Sequence, residues 1–200
     1  LSFSSDTVYS YVGLRTFRVG EDEKGVKRLM LNDRPYFHHG LLDQGYWDGG
    51  LYTPLSDESM VDDIKLIKSM GFNTLRKHIK VEPLRWYWHC DRLGVLVWQD
   101  MVNGGGKYLF GVISAPLILG SHLKDNHYSL LRRKDKEMRD EYEKNLSLMI
   151  NHLYNSTSIC MWVPFNEGWG QFDSKKAYDF IRSMDSTRLV DTTSGWHDRG

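Results

Sequence analysis

Residues that staple, stiffen or anchor a chain are scarce here: there are two cysteines, five prolines and no long apolar run. Cys90 and Cys160 each sit in an apolar segment without metal-type spacing, so two buried free thiols are expected rather than a bridge. The redox compartment stays open. A membrane span needs roughly 18 successive apolar residues, which no window supplies, so no membrane is expected as a partner. Residues 1–5 show no basic stretch ahead of an apolar one; a leader already removed would imply a periplasmic or extracellular protein, and otherwise a cytoplasmic one. An excess of either charge is also lacking, because 26 acidic side chains balance 26 basic ones. No overall field draws nucleic acid, and a neutral substrate such as a sugar fits better.

What the chain does have is aromatics, including seven tryptophans. Their flat apolar faces and polar edges suit carbohydrate rings, with ordinary core packing the alternative for most of them. Residues 8–19 are β-branched and aromatic with partial alternation, which predicts a strand. A charged turn at 20–25 and a hairpin over 27–37, turning at 31–35, follow.

From residue 36 the pattern becomes strands alternating with helices, the mark of parallel βαβ units. Strands are expected at 36–42, 72–78, 95–98, 159–164 and from 188 to 192. Helices are expected at 57–70, from Pro83 to a stop at Gly94, at 138–153 and at 173–184. Residues 101–136 break the rhythm and read as an insertion. Its Gly104-Gly105-Gly106 is not followed by the Lys-Ser/Thr pair of a phosphate loop and lacks the strand-to-helix spacing of one, and Arg132-Arg133-Lys134 reads as a solvated face.

The most informative stretch is Ile159-Cys160-Met161-Trp162-Val163-Pro164-Phe165-Asn166-Glu167. A buried strand that stops at an amide and a carboxylate puts Glu167 at the mouth of a sheet, where apolar neighbours favour the protonated form that a general acid needs. Glu167 as a helix cap or a partner of a surface arginine is the plain alternative. In a (β/α)8 barrel the chemistry collects after the strands. There stand His38, His39 and Asp43; Arg76, Lys77, His78 and Lys80; Gln99 and Asp100; Asn166 and Glu167; and Ser194, Trp196, His197 and Asp198. His39 fits either a ligand contact or a satisfied buried histidine. No His/Asp/Glu spacing calls for a metal or other cofactor.

Three segments resemble glycoside hydrolase family 2, the β-galactosidase, β-glucuronidase and β-mannosidase family. They are Gly71-Phe72-Asn73-Thr74-Leu75-Arg76-Lys77-His78, Cys90-Asp91-Arg92-Leu93-Gly94 with Val97-Trp98-Gln99-Asp100, and Trp162 to Glu167 with its trailing Gly-Trp-Gly. The resemblance implies an α/β fold: a partial (β/α)8 TIM barrel, about strands 1–5, preceded by the last strand of an immunoglobulin-like β-sandwich. Residues 1–20 would end that sandwich, 21–35 would be an entry hairpin, and 36–200 the N-terminal portion of the barrel.

By the same resemblance, Glu167 is the general acid/base of a retaining β-glycosidase, and Asn166 bonds the sugar hydroxyl beside the reacting carbon. Arg76, His78, Asp100 and Trp196 are implied at the substrate; a structural ion pair is the alternative for Arg76 and Asp100. The nucleophile, a second Glu on a later strand, would lie beyond these 200 residues. The isolated piece would then be inactive, and would need the remainder of the barrel or self-associate. A non-catalytic carbohydrate-binding or assembly module derived from such a barrel is the alternative function.

Overall fold

In the computed structural model, which describes residues 5–115, 118 and 124–195, the strands form two sheets. The first is antiparallel and small: β1 (Phe17–Glu21), β2 (Lys27–Leu31) and β3 (Arg34–Pro35), in that order. Asn32 and Asp33 make its tight turn with φ of 50° and 62°, a left-handed pair that short polar side chains tolerate.

The second sheet is parallel throughout, with β4 (Gly40–Asp43), β5 (Thr74–Lys77), β6 (Leu96–Asp100), β7 (Ile159–Val163) and β8 (Leu189–Val190) adjacent in chain order. Parallel neighbours need crossovers, and helices supply them. α1 (Asp57–Ser69) joins β4 to β5 and α2 (Leu84–Leu93) joins β5 to β6. α3 (Phe110–Ile113) and α4 (Lys136–Leu153) lie between β6 and β7, and α5 (Ser174–Met184) precedes β8. The sequence marks these ends well. Ser56 and Ser59 form a capping box at the start of α1, and Gly94 ends α2 at φ 69°.

One face of the parallel sheet meets the helices: Leu75, Val97 and Trp162 pack with Met60, Ile64, Trp86, Leu146, Ile150 and Ile181. Burial of each such large apolar side chain stabilises by roughly 1.5–3 kcal/mol. The opposite face receives the antiparallel hairpin, where Phe17, Leu29 and Leu31 cover Leu96, Trp98, Met161 and Val163. A register shift makes room for this. Val97 pairs with Ile159 but Trp98 pairs with Met161, so the extra residue Cys160 turns with Met161 toward the hairpin. Both cysteines are free and buried.

The α/β parallel unit agrees with the βα rhythm, but three expectations change. Residues 8–16 form no strand; the ladder starts at Phe17, where Leu31 first offers a partner. The strand expected over 36–42 starts only at Gly40, because the Asn73 side chain holds residues 37–39 instead: it donates to Phe37 O and accepts from the His39 amide, each at 2.9 Å. His38 and His39 therefore precede β4, at the end of the sheet opposite Glu167. His38 accepts from Trp98 Nε1 at 2.9 Å, and His39 is exposed against Phe72. Finally, β6 runs on to Asp100, paired with Val163, so Gln99 and Asp100 belong to the strand rather than to the loop after it.

Candidate active site

Alternation along β5 and β6 sends Arg76 and Asp100 to one side and Lys77 and Gln99 to the other. Arg76 grips Asp100 with two bonds, Nε to Oδ1 at 2.9 Å and Nη2 to Oδ2 at 3.0 Å. This is the bidentate geometry for which a guanidinium is suited. Nη2 also reaches Asn166 Oδ1 at 2.8 Å and Ser194 Oγ at 3.0 Å. One side chain from β5 thus ties together the ends of β6, β7 and β8. The Asp100 side chain is fully buried, and that burial pushes its carboxyl above the usual range against the opposing pull of Arg76 and His78.

Glu167 stands in the turn that follows β7, at φ 55°. Its amide donates to Ser194 Oγ at 3.0 Å, and its Oε2 accepts from Trp169 Nε1 at 2.8 Å. Glu167 is half-buried, with its neighbour Asn166 buried. Pro164 and Phe165 lead into this turn over an aromatic support. Phe165 stacks on Tyr142 of α4 at 5.2 Å, and the Tyr142 hydroxyl donates to Pro164 O.

Of the residues expected at the substrate, Arg76, Asp100, Asn166 and Glu167 come together in one bonded group; His78 stands half-buried just after β5. Trp196 lies outside the described residues. Lys77 and Lys80, expected at the mouth, are instead buried beneath it. Lys77 bonds Asp43 at 2.7 Å and Glu82 at 2.9 Å over the Trp86 ring, and Lys80 bonds Glu82 at 2.7 Å. Arg133 is also a correction: read as part of a solvated run, it is 1% exposed and donates to Gly170 O at 2.7 Å.

Ser194 and Trp169 make bonds to Glu167 that the sequence reading did not assign, although both stand in segments it singled out. A groove of about 570 Å3 runs from Gly104 and Gly105 along Tyr142 and Asn145 of α4; none of Arg76, Asp100, Asn166 or Glu167 lines it. Among the described residues no three His, Cys, Asp or Glu side chains are gathered as metal ligands.

The same arrangement of strands and helices recurs in solved glycosidases. A β-D-glucuronidase from Dictyoglomus thermophilum superimposes with a TM-score of 0.68 at 18% identity, over 90% of this chain and 28% of that one. A family 2 β-galacturonidase from Eisenbergiella tayi, bound to galacturonate, gives 0.65 at 21% identity with the same coverages. The β-glucuronidase of Parabacteroides merdae gives 0.61 at 19% identity, over 90% of this chain and 20% of that one. This chain therefore spans between a fifth and under a third of the length of these proteins. The family model described as "Glycosyl hydrolases family 2, TIM barrel domain" matches residues 24–199. With the family's fold present and the match running over nearly the whole sequence, the chain belongs to glycosyl hydrolase family 2.

Proposed function

We propose that this chain supplies the acid/base side of a retaining exo-acting β-glycosidase, with Glu167 as the general acid/base. The observation that carries this is that Glu167 stands just past the C-terminal end of a parallel strand, its backbone amide donating to Ser194 Oγ and its carboxyl accepting from Trp169 Nε1. In the first step Glu167 gives its proton to the glycosidic oxygen while a second carboxylate attacks the anomeric carbon, and the C–O bond electrons leave with that oxygen. Water then attacks the anomeric carbon and displaces the carboxylate, and Glu167 takes a proton from that water. Asn166 bonds the hydroxyl next to the reacting carbon, and the Arg76–Asp100 pair holds Asn166 in place with His78 beside it. Trp196 is a sugar contact in the same reading.

Asp100 is unsuited to be the second carboxylate, because it is fully buried and both of its oxygens are bonded to Arg76. We place the nucleophile on a later strand, outside these 200 residues, in a longer polypeptide of the size of the structural neighbours. The structural neighbours are β-glucuronidases and a β-galacturonidase, which supports terminal β-glycosides as the substrate class. In this reading the residues ahead of Phe17 end a preceding sandwich domain, the β1–β3 sheet is the entry to the barrel, and 36–200 begin the barrel. The exposed Val8, Tyr9, Val12 and Leu14 fit a segment that packs against such a domain.

The test is a panel of chromogenic β-glycosides on the full-length enzyme and its Glu167→Gln variant. Loss of acid assistance predicts a fall of ~10²-fold or more with poor leaving groups and a smaller one with activated aryl glycosides. Equal loss on both would overturn the acid role.

A further inference from the structure

We propose that Arg133, from the segment between β6 and β7, is a positioning residue for Glu167; the assignment rests on the acid/base reading above. Arg133 is a buried cation with no carboxylate partner among the described residues. A charge taken out of water without a counter-ion is unfavourable, so its surroundings should show what it does there. Its Nε donates to Gly170 O at 2.7 Å, and its guanidinium carbon lies 5.0 Å from the ring centres of both Tyr142 and Phe172. Arg133 therefore stands in an aromatic box whose Tyr142 wall also bonds Pro164 O and stacks on Phe165. The turn bearing Glu167 is held at both ends, at Pro164 by Tyr142 and at Gly170 by Arg133.

Contacts around Gly170 are close. A Cβ there would fall 2.3 Å from Gly104 O and 2.7 Å from Arg133 Nη2, so the backbone lies directly against the guanidinium. Trp169, the residue before Gly170, donates to Glu167 Oε2 and has Tyr108 edge-on at 5.2 Å. Release of the Gly170 carbonyl would loosen Trp169, and through it the acid. A planar fork that stacks and donates at once suits this task better than an ammonium.

The experiment uses the full-length enzyme and compares kcat/KM for glycosides with poor and with activated leaving groups. Arg133→Met keeps an unbranched stem in the box but has no donor. A misplaced acid predicts that kcat/KM falls ~10- to 100-fold with poor leaving groups, and only a few-fold with activated ones. Added azide, which needs no base, should raise kcat on the activated substrates. A merely structural role would lower both substrates by the same factor, and an unchanged ratio overturns the proposal. If Arg133→Met does not fold, Arg133→Lys decides, with a smaller split in the same direction expected and no split overturning it. Glu167→Gln run alongside separates the two readings. A split in Glu167→Gln but in neither Arg133 variant sinks the positioning role alone, whereas equal losses in Glu167→Gln sink the acid role on which it rests.

Discussion

The Ser194 hydroxyl oxygen accepts the backbone N–H of Glu167 at 3.0 Å, although the two residues lie in turns after different strands. That oxygen also accepts Arg76 Nη2 at 3.0 Å, so one atom joins the acid's backbone to the Arg76–Asp100 pair. Ser194→Ala would leave the Glu167 amide without its acceptor and lower kcat/KM of the full-length enzyme by ~10-fold, about 1.4 kcal/mol of transition-state stabilisation. Ser194→Thr should not restore activity despite keeping a hydroxyl, because Ser194 sits at φ 44°, where a β-branched residue is strained. Full activity in the alanine variant would show that the bond is dispensable.

A second prediction concerns acid stability. Burial raises the Asp185 carboxyl, but bonds from Arg188, Thr187 and Trp162 outweigh it and bring its pKa from an ordinary 3.8 down to about 2. A carboxyl depressed in the folded state contributes stability above its unfolded value, which is lost as pH falls from 3.8 toward 2. At about 1.4 kcal/mol per unit this amounts to roughly 2 kcal/mol at neutral pH. Asp185→Asn should remove at least that much, since Arg188 would remain buried without its counter-ion, and should flatten the decline in acid. Urea titrations of both proteins between pH 2 and 7 check this, and parallel curves would refute it.

The sequence shows some of these features and hides others for identifiable reasons. Helix ends are local events, so Ser56 and Gly94 announce them in their own neighbourhood. Arg76, Asp100 and Asn166 follow from polar residues that interrupt apolar strand patterns. Arg133 does not, because its acceptor is the backbone carbonyl of Gly170, 37 residues away, and a carbonyl has no residue signature. His38 and His39 lie ahead of their strand rather than after it for a similar reason: a side-chain amide, that of Asn73, holds the backbone of residues 37–39 in place of a ladder. Residues 8–16 carry strand propensity without a described partner, and propensity alone forms no sheet.

Gly170→Ala probes the tightness of the turn that bears Glu167. The glycine has φ 69°, and a Cβ would meet the backbone oxygen of Gly104 at 2.3 Å, a contact that no rotamer change can relieve. Left-handed strain of roughly 1–3 kcal/mol combines with displacement of one of the two loops. A lowered melting temperature together with reduced kcat/KM is expected, and a variant that matches the parent in both would mean the two loops separate freely.

The last prediction concerns the β4 edge of the parallel sheet. Among the described residues β4 pairs with β5 alone, and its Leu42 is 54% exposed. Beside it lies a cleft of about 490 Å3 lined by Leu41, Trp47, Ile64 and Leu75, with the Trp47 Nε1 buried and without a hydrogen-bond partner. Unpaired strand backbone beside an apolar cleft is a template for another strand, as in the closure of a barrel. Produced alone, the 200-residue chain should associate through this edge at micromolar concentration and bind a hydrophobic dye. Leu42→Lys should reduce both effects, since a charge on an edge opposes pairing. Light scattering and dye fluorescence on the two proteins decide it: a monomeric, dye-silent parent would mean that the β4 edge attracts no partner.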